Sequence, residues 1–225
     1  MLQTRIFEFN PLGTNCVVLW NDGSHACAVA DPGMSSPEGL QTLCSFLEAH
    51  ALRPEAILLT HGHFDHVWGV DRLLGVFPGI PVYLHPQDND IMDKLTASGQ
   101  VLESFSFLKH DFTTVPIADG DVLRIAGITF KVIHTPGHTP GGVCYYAQED
   151  ALLLSGDTLF AGSIGRTDLA GGDYDVLMDS IRGKLLPLPG DTDVIPGHGQ
   201  PTSIAREGMS NPFLEPFNEP LESDE

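Results

Sequence analysis

The stretch Thr60-His61-Gly62-His63-Phe64-Asp65-His66 packs four imidazole or carboxylate side chains into six residues, His61 to His66. It follows Ala56-Ile57-Leu58-Leu59, an apolar run that reads as a buried strand. In an extended chain, residues two apart point to the same side, so His61 and His63 can serve one ion together. Asp65 and His66 fall where a helix begins, and its first turn rotates them toward a second ion.

The same pattern recurs downstream. Thr135-Pro136-Gly137-His138-Thr139, Ser155-Gly156-Asp157-Thr158 and Ile195-Pro196-Gly197-His198-Gly199 each follow an apolar, strand-like run. Each places its polar residue just past the strand end, with Gly beside it. Four such ends at one rim converge on one site, because rigid strands position loop ligands. His138 then completes the shell of the first ion and His198 that of the second. The two oxygens of Asp157 can bridge both. The expected centre is His61, His63, Asp65, His66, His138, Asp157 and His198 around two divalent metal ions, with no thiolate. Such donors suit zinc foremost, with iron and manganese as alternatives. A lone histidine, or Asp157 alone, reads as a satisfied polar group or a turn former; the set carries the argument. His25, His50, His85, His110 and His134 lack this context and read as surface or core residues.

Around these segments the chain reads as strands interspersed with helices. Strands are expected at 14–20, 26–30, 56–59, 81–84, 122–125, 128–133, 143–147, 151–154 and 193–195, with Asn21-Asp22-Gly23 as a hairpin turn. Helical spacing marks Pro37 to His50, through Leu40, Leu43, Cys44 and Leu47. It also marks Val67, Val70, Leu74 and Phe77, and the segment 173–185. Residues 86–120 show no readable period. Tight hairpins mixed with helices predict two sheets with helices on their outer faces. Residues 1–210 are expected to form one domain. Residues 211–225, with three prolines and five acids, form a C-terminal acidic tail.

The 225 residues are 42% apolar and carry a formal net charge of −19. A polyanion has no electrostatic reason to approach such a surface, which disfavours nucleic acid as a partner. No apolar run approaches the ~18 residues of a membrane span. Met1 to Glu8 lacks the apolar core of a secretory signal, so no membrane partner and a cytoplasmic location are expected. The four cysteines, Cys16, Cys27, Cys44 and Cys144, lie far apart and read as free thiols.

The His61–His66 signature, with His138, Asp157 and His198, resembles the metallo-β-lactamase superfamily over nearly the whole chain. That resemblance implies an αββα sandwich of two mixed sheets flanked by helices, with the dinuclear site at one edge. Within the superfamily the chain looks most like the type II glyoxalases, or hydroxyacylglutathione hydrolases. The stretch from Ser155 to Asp168 is similar to their compact single-domain bacterial branch. The resemblance implies hydrolysis of a small-molecule thioester such as S-lactoylglutathione by a metal-bound hydroxide. Asp65 and Asp157 would then act in catalysis as well as ligation. Arg166 stands where longer glyoxalases carry a substrate-binding Lys, and is the expected substrate contact. Gln200 stands where they carry a Tyr, and the helical domain they append is not in this sequence; both leave the thiol carrier open. True β-lactamases of this fold often place Cys in one metal shell, and the ligand set here points away from them. A persulfide dioxygenase with a single iron and a lactonase are the alternative readings, and a non-catalytic metal-binding module is a third.

Overall fold

Alternation with a period of two runs through β2 (Asn15–Asn21), where Val17 and Leu19 face one layer and Cys16 and Val18 face another. Both faces are covered, and the same holds for most of the central strands. The computed structural model describes residues 1–89, 91 and 111–214. His110 and residues 215–225 of the acidic tail lie outside the described residues, while Asn211 and Leu214 are buried.

The first sheet has six strands in the order β1 (Leu2–Glu8), β2, β3 (Ala26–Ala30), β4 (Arg53–Leu58), β5 (Val82–Leu84), β6 (Val115–Pro116). Its first three strands pair antiparallel, and β3 to β6 run parallel. The second sheet also has six strands. They comprise β7 (Val122–Ile125), β8 (Ile128–His134), β9 (Val143–Ala147), β10 (Leu152–Gly156), β13 (Asp193–Pro196) and β14 (Thr202–Ser203). Adjacent strands from β7 to β10 are antiparallel, and β13 joins β10 in parallel. A two-stranded ribbon, β11 (Leu159–Phe160) and β12 (Ser163–Ile164), stands apart.

The sheets pack face to face through Val17, Leu19, Ala30 and Leu58 on one side and Phe130, Val132, Tyr145 and Leu154 on the other. Outside the first sheet lie α1 (Pro37–Ala49), α2 (Phe64–Val67) and α3 (Val70–Val76); Leu43, Leu47, Val70 and Leu73 bury against it. Outside the second lie α4 (Tyr174–Ser180), which continues as a π-helical turn over Ile181–Leu185, and α5 (Ile204–Ser210). The architecture is therefore helix, sheet, sheet, helix, as the sequence implied. Replacing a buried anchor such as Leu43 with Ala would cost on the order of 2–5 kcal/mol.

Helix starts follow local chemistry. Ser36 precedes Pro37 at the head of α1, and Asp173 accepts a hydrogen bond from Val176 N at 3.1 Å at the head of α4. Elements absent from the sequence reading are β1, β6, the short ribbon, β14 and α5. The edge strand β1 is half-exposed along its length, so it lacks the apolar signal that marked the central strands. No helix among the described residues is long and apolar enough to cross a membrane.

The two sheets are stitched together at one rim. Asn15 N donates to Gly197 O at 2.7 Å, and Val143 N to Thr60 O at 2.8 Å. All of the proposed ligand segments leave their strands at this rim.

Candidate metal centre

The segment after β4 reaches α2 through His63, whose backbone is extended with ψ 144. This delivers His61 Nε2 to within 3.0 Å of His63 Nδ1, and His138 Nε2 reaches the same Nδ1 at 2.9 Å. The first turn of α2 swings Asp65 and His66 the other way. His66 Nε2 lies 3.3 Å from His198 Nε2, and His198 Nε2 lies 3.3 Å from Asp65 Oδ2. Asp157 stands between the two groups, with Oδ2 3.5 Å from both His138 Nε2 and His198 Nε2. All seven residues expected from the sequence thus meet in one cluster. It resolves into His61, His63 and His138, then Asp65, His66 and His198, with Asp157 shared.

Outer hydrogen bonds decide which nitrogens face inward. Carbonyls only accept, so His138 Nδ1–H donates to Arg166 O at 2.7 Å and His198 Nδ1–H to Leu12 O at 3.1 Å. Thr60 Oγ1 donates to Asp31 Oδ2 at 2.7 Å, which leaves it free to accept from His61 Nδ1 at 3.1 Å. Asp31 Oδ2 also accepts from His66 Nδ1 at 3.0 Å. Four Nε2 atoms are therefore turned into the site. Partners of this kind fix the tautomer and orientation of metal-binding histidines.

The cluster fits divalent cations. Donors bound at about 2.1 Å in a tetrahedron lie roughly 3.4 Å apart, close to the observed separations. Asp157 Oδ1 is buried without a hydrogen bond, with His66 Nε2 3.4 Å away, an arrangement that a bound cation would satisfy. Gly197 leaves the space open: a Cβ there would overlap Asp157 Oδ1 and His66 Cε1. No cysteine contributes; Cys16, Cys27 and Cys144 are buried free thiols, and burial pushes Cys27 up to about 12.

Without an ion the two groups carry different charges. Burial, with repulsion from neighbouring imidazoles, drives His61 well below its ordinary value and His63 down to about 4. Burial also disfavours charge on His66 and His198, but the carboxylates of Asp157 and Asp65 outweigh it. His66 rises well above its usual range and His198 to about 10. Burial pushes Asp157 upward, yet the His66 charge and the His198 contact hold it well below the carboxylate range.

Arg166 is placed beside the centre by its carbonyl, but its guanidinium is exposed and forks onto Asp168 at 2.8 and 2.7 Å. Of the remaining histidines, His25 and His50 are exposed, whereas His85 and His134 stack with ring centroids 4.2 Å apart. Sequence reasoning missed the outer residues. Asp31 opens Asp31-Pro32-Gly33, the stretch that ends β3. It sits just past β3 at the same rim, and the strand-end logic that found Asp157 applies equally to it. Thr14, which donates to Asp65 Oδ2 at 2.7 Å, and Asn15, whose amide donates to Pro196 O and Gly199 O, had no such marker.

A family model for the metallo-beta-lactamase superfamily matches residues 9–198. The chain belongs to the metallo-beta-lactamase superfamily. Among its relatives in this superfamily, the protein named hydroxyacylglutathione hydrolase GloC from Haemophilus influenzae is 37% identical, over 95% of this chain and 98% of its own. The probable metallo-hydrolase YqgX of Bacillus subtilis is also 37% identical, over 96% of this chain and all of its own. Two solved structures share both fold and sequence. One, described as BLEG-1 B3 metallo-beta-lactamase, is 41% identical with a TM-score of 0.80, covering 95% of this chain and 100% of that one. The other, TTHA1623 in a di-iron-bound form, is 38% identical with a TM-score of 0.79, covering 93% and 100%.

Proposed function

We propose that this chain is a metal-dependent hydrolase that cleaves a small thioester of the S-lactoylglutathione type. The observation that carries the reading is the thiolate-free cluster of five imidazoles and two carboxylates, with Asp157 placed to serve both halves. The likeness to GloC over nearly the full length supports the thioester in particular.

Two divalent cations held there would supply Lewis-acid polarisation of an acyl carbonyl and lower the pKa of a shared water from ~16 toward neutrality. The residues do the rest. Inward-facing Nε2 atoms of His61, His66, His138 and His198 fix the positions of positive charge. Asp65, restrained by Thr14 through Oδ2, keeps a carboxylate edge on which the attacking water can be oriented. A departing thiolate has an intrinsic pKa near ~8.5, by analogy with free Cys, and needs no strong general acid. Ser155 offers no rival nucleophile, since it is buried and its hydroxyl donates to Leu159 O at 2.8 Å. Arg166 is assigned to the substrate's anionic end. The expected partner is therefore a small molecule, with neither nucleic acid nor membrane involved.

Likeness to BLEG-1 favours a second reading, β-lactam hydrolysis, at the same centre. Three assays on one metal-analysed preparation separate the readings: thiol release from S-lactoylglutathione under nitrogen, ring opening of a cephalosporin, and oxygen uptake with glutathione persulfide. Thioester cleavage that rises with metal content is expected. Ring opening of the cephalosporin at greater efficiency would install the second reading. Oxygen uptake in place of cleavage would make the protein a dioxygenase.

A further inference from the structure

We propose that Asp88 is the positioning residue for the three-imidazole half of the centre, the clamp that holds the His61-Gly62-His63 and His138-Thr139 loops at their working separation. This rests on the two-ion reading above. Asp88 sits in the turn after β5, fully buried, and its side-chain hydrogen bonds among the described residues go to the loops of the imidazole half. Its Oδ2 accepts from Gly62 N at 2.8 Å, the amide between two of the ligands. The same oxygen accepts from Thr139 Oγ1 at 2.8 Å, next to the third ligand, and Oδ1 accepts from Gly141 N at 2.6 Å. One carboxylate therefore ties the loop after β4 in the first sheet to the loop after β8 in the second.

The chemistry requires a carboxylate. All three partners are donors, and an ionised carboxyl is acceptor-only. Asn in its place would turn an amide N–H toward at least one donor and leave it unsatisfied. Space is reserved as well: a Cβ at Gly141 would fall 2.6 Å from Asp88 Oδ1, so the chain approaches as closely as glycine allows. The arrangement has a counterpart across β4. In the sheet order, β3 and β5 flank β4, and each is followed by a buried aspartate that reaches across to the ligand loop. Asp31 holds Thr60 and His66; Asp88 holds Gly62 and the His138 loop.

The test is the metal occupancy of full-length Asp88→Asn, read with cobalt as the probe. Wild-type protein is expected to hold two ions. Asp88→Asn should bind the ion of the imidazole half about 10- to 100-fold more weakly, the usual effect of losing an outer partner, and keep the other unchanged. Its one-ion visible spectrum should match that of His138→Ala and differ from that of His198→Ala. Thr139→Val removes a single bond of the clamp and should shift the same site in the same direction by a smaller factor. It keeps the inference testable if Asp88→Asn fails to fold. A merely structural role would weaken both halves together. Two ions retained at wild-type affinity in either variant, or equal weakening of both, would overturn the clamp. A wild-type protein holding no more than one ion would instead remove the two-ion reading itself.

Discussion

His61, His63 and His138 meet through three imidazole nitrogens with no carboxylate of their own, whereas Asp65 interleaves with His66 and His198 on the other side of Asp157. The first group is almost wholly buried and meets Asp157 through His138 at 3.5 Å and through His61, whose ligand nitrogen also lies in range of it; the second keeps His198 partly open to solvent, with side-chain exposure of 27%. Burial leaves His61 and His63 as neutral lone pairs, while the carboxylates hold His66 and His198 as cations. The same ligand type is thus prepared in two ways. A cation entering the imidazole half displaces no proton from His61 or His63 at neutral pH. One entering the carboxylate half must expel protons from His66 and His198.

The most severe way to break this comparison is to remove what the halves share. Asp157→Ala takes a donor from both and should abolish the second ion. Hydrolysis should fall by more than the ~100-fold typical of losing an outer partner. Metal-stripped Asp157→Ala that still cleaves thioester at the wild-type rate would falsify metal-dependent hydrolysis altogether.

The proton asymmetry predicts a sharper experiment. Below its pKa of about 10, His198 must lose a proton before it can ligate. Affinity of the carboxylate half should therefore drop about tenfold per pH unit for each proton displaced as pH falls from 9 to 6. The imidazole half, whose His63 stays neutral down to about 4, should lose far less over that range. Competition against a chromophoric chelator at several pH values measures both slopes, and parallel slopes would contradict the asymmetry.

A smaller effect is expected on the metal-free fold. His63 takes up a proton at about 4 when folded but near 6.5 when unfolded. With the folded value depressed, its contribution is fully present above pH 6.5 and is lost as pH falls toward 4. The loss should be on the order of 3 kcal/mol, and His63→Gln should flatten that part of the denaturation profile. An unchanged profile would show that His63 is not the group that titrates.

The donors of both halves were legible in the sequence because ligand chemistry is local: each lies in a short segment of polar residues and glycine at the end of an apolar run. The fold was legible for a related reason. Strands such as Val143–Ala147 and Leu152–Gly156 are buried on both faces and announce themselves as apolar. Residues whose work is done at long range were not legible. Asp88 is 51 residues from Thr139, a distance that leaves no trace in spacing, and Asp31, 35 residues from His66, shows only its place at a strand end. Asn15 reaches Gly199 across 184 residues, through the junction of the two sheets. β1 escaped because an edge strand half-exposed along its length carries no apolar period.

Arg166 separates the two kinds of legibility. Its backbone carbonyl is part of the imidazole half, since it orients His138. Its side chain, 61% exposed and forked onto Asp168, is free of that duty. Removing the side chain should therefore leave both ions in place and act on substrate alone. In Arg166→Ala we expect KM for an anionic thioester to rise roughly three- to tenfold with kcat nearly constant, the pattern of lost uniform binding. Because the guanidinium lies in solvent, the effect should shrink with added salt. Asp168→Asn, which releases the fork, should lower KM or leave it unchanged. If instead both variants reduce kcat and metal content, the side chain braces the loop that carries the His138 partner, and the substrate's anionic end must be met elsewhere on the rim.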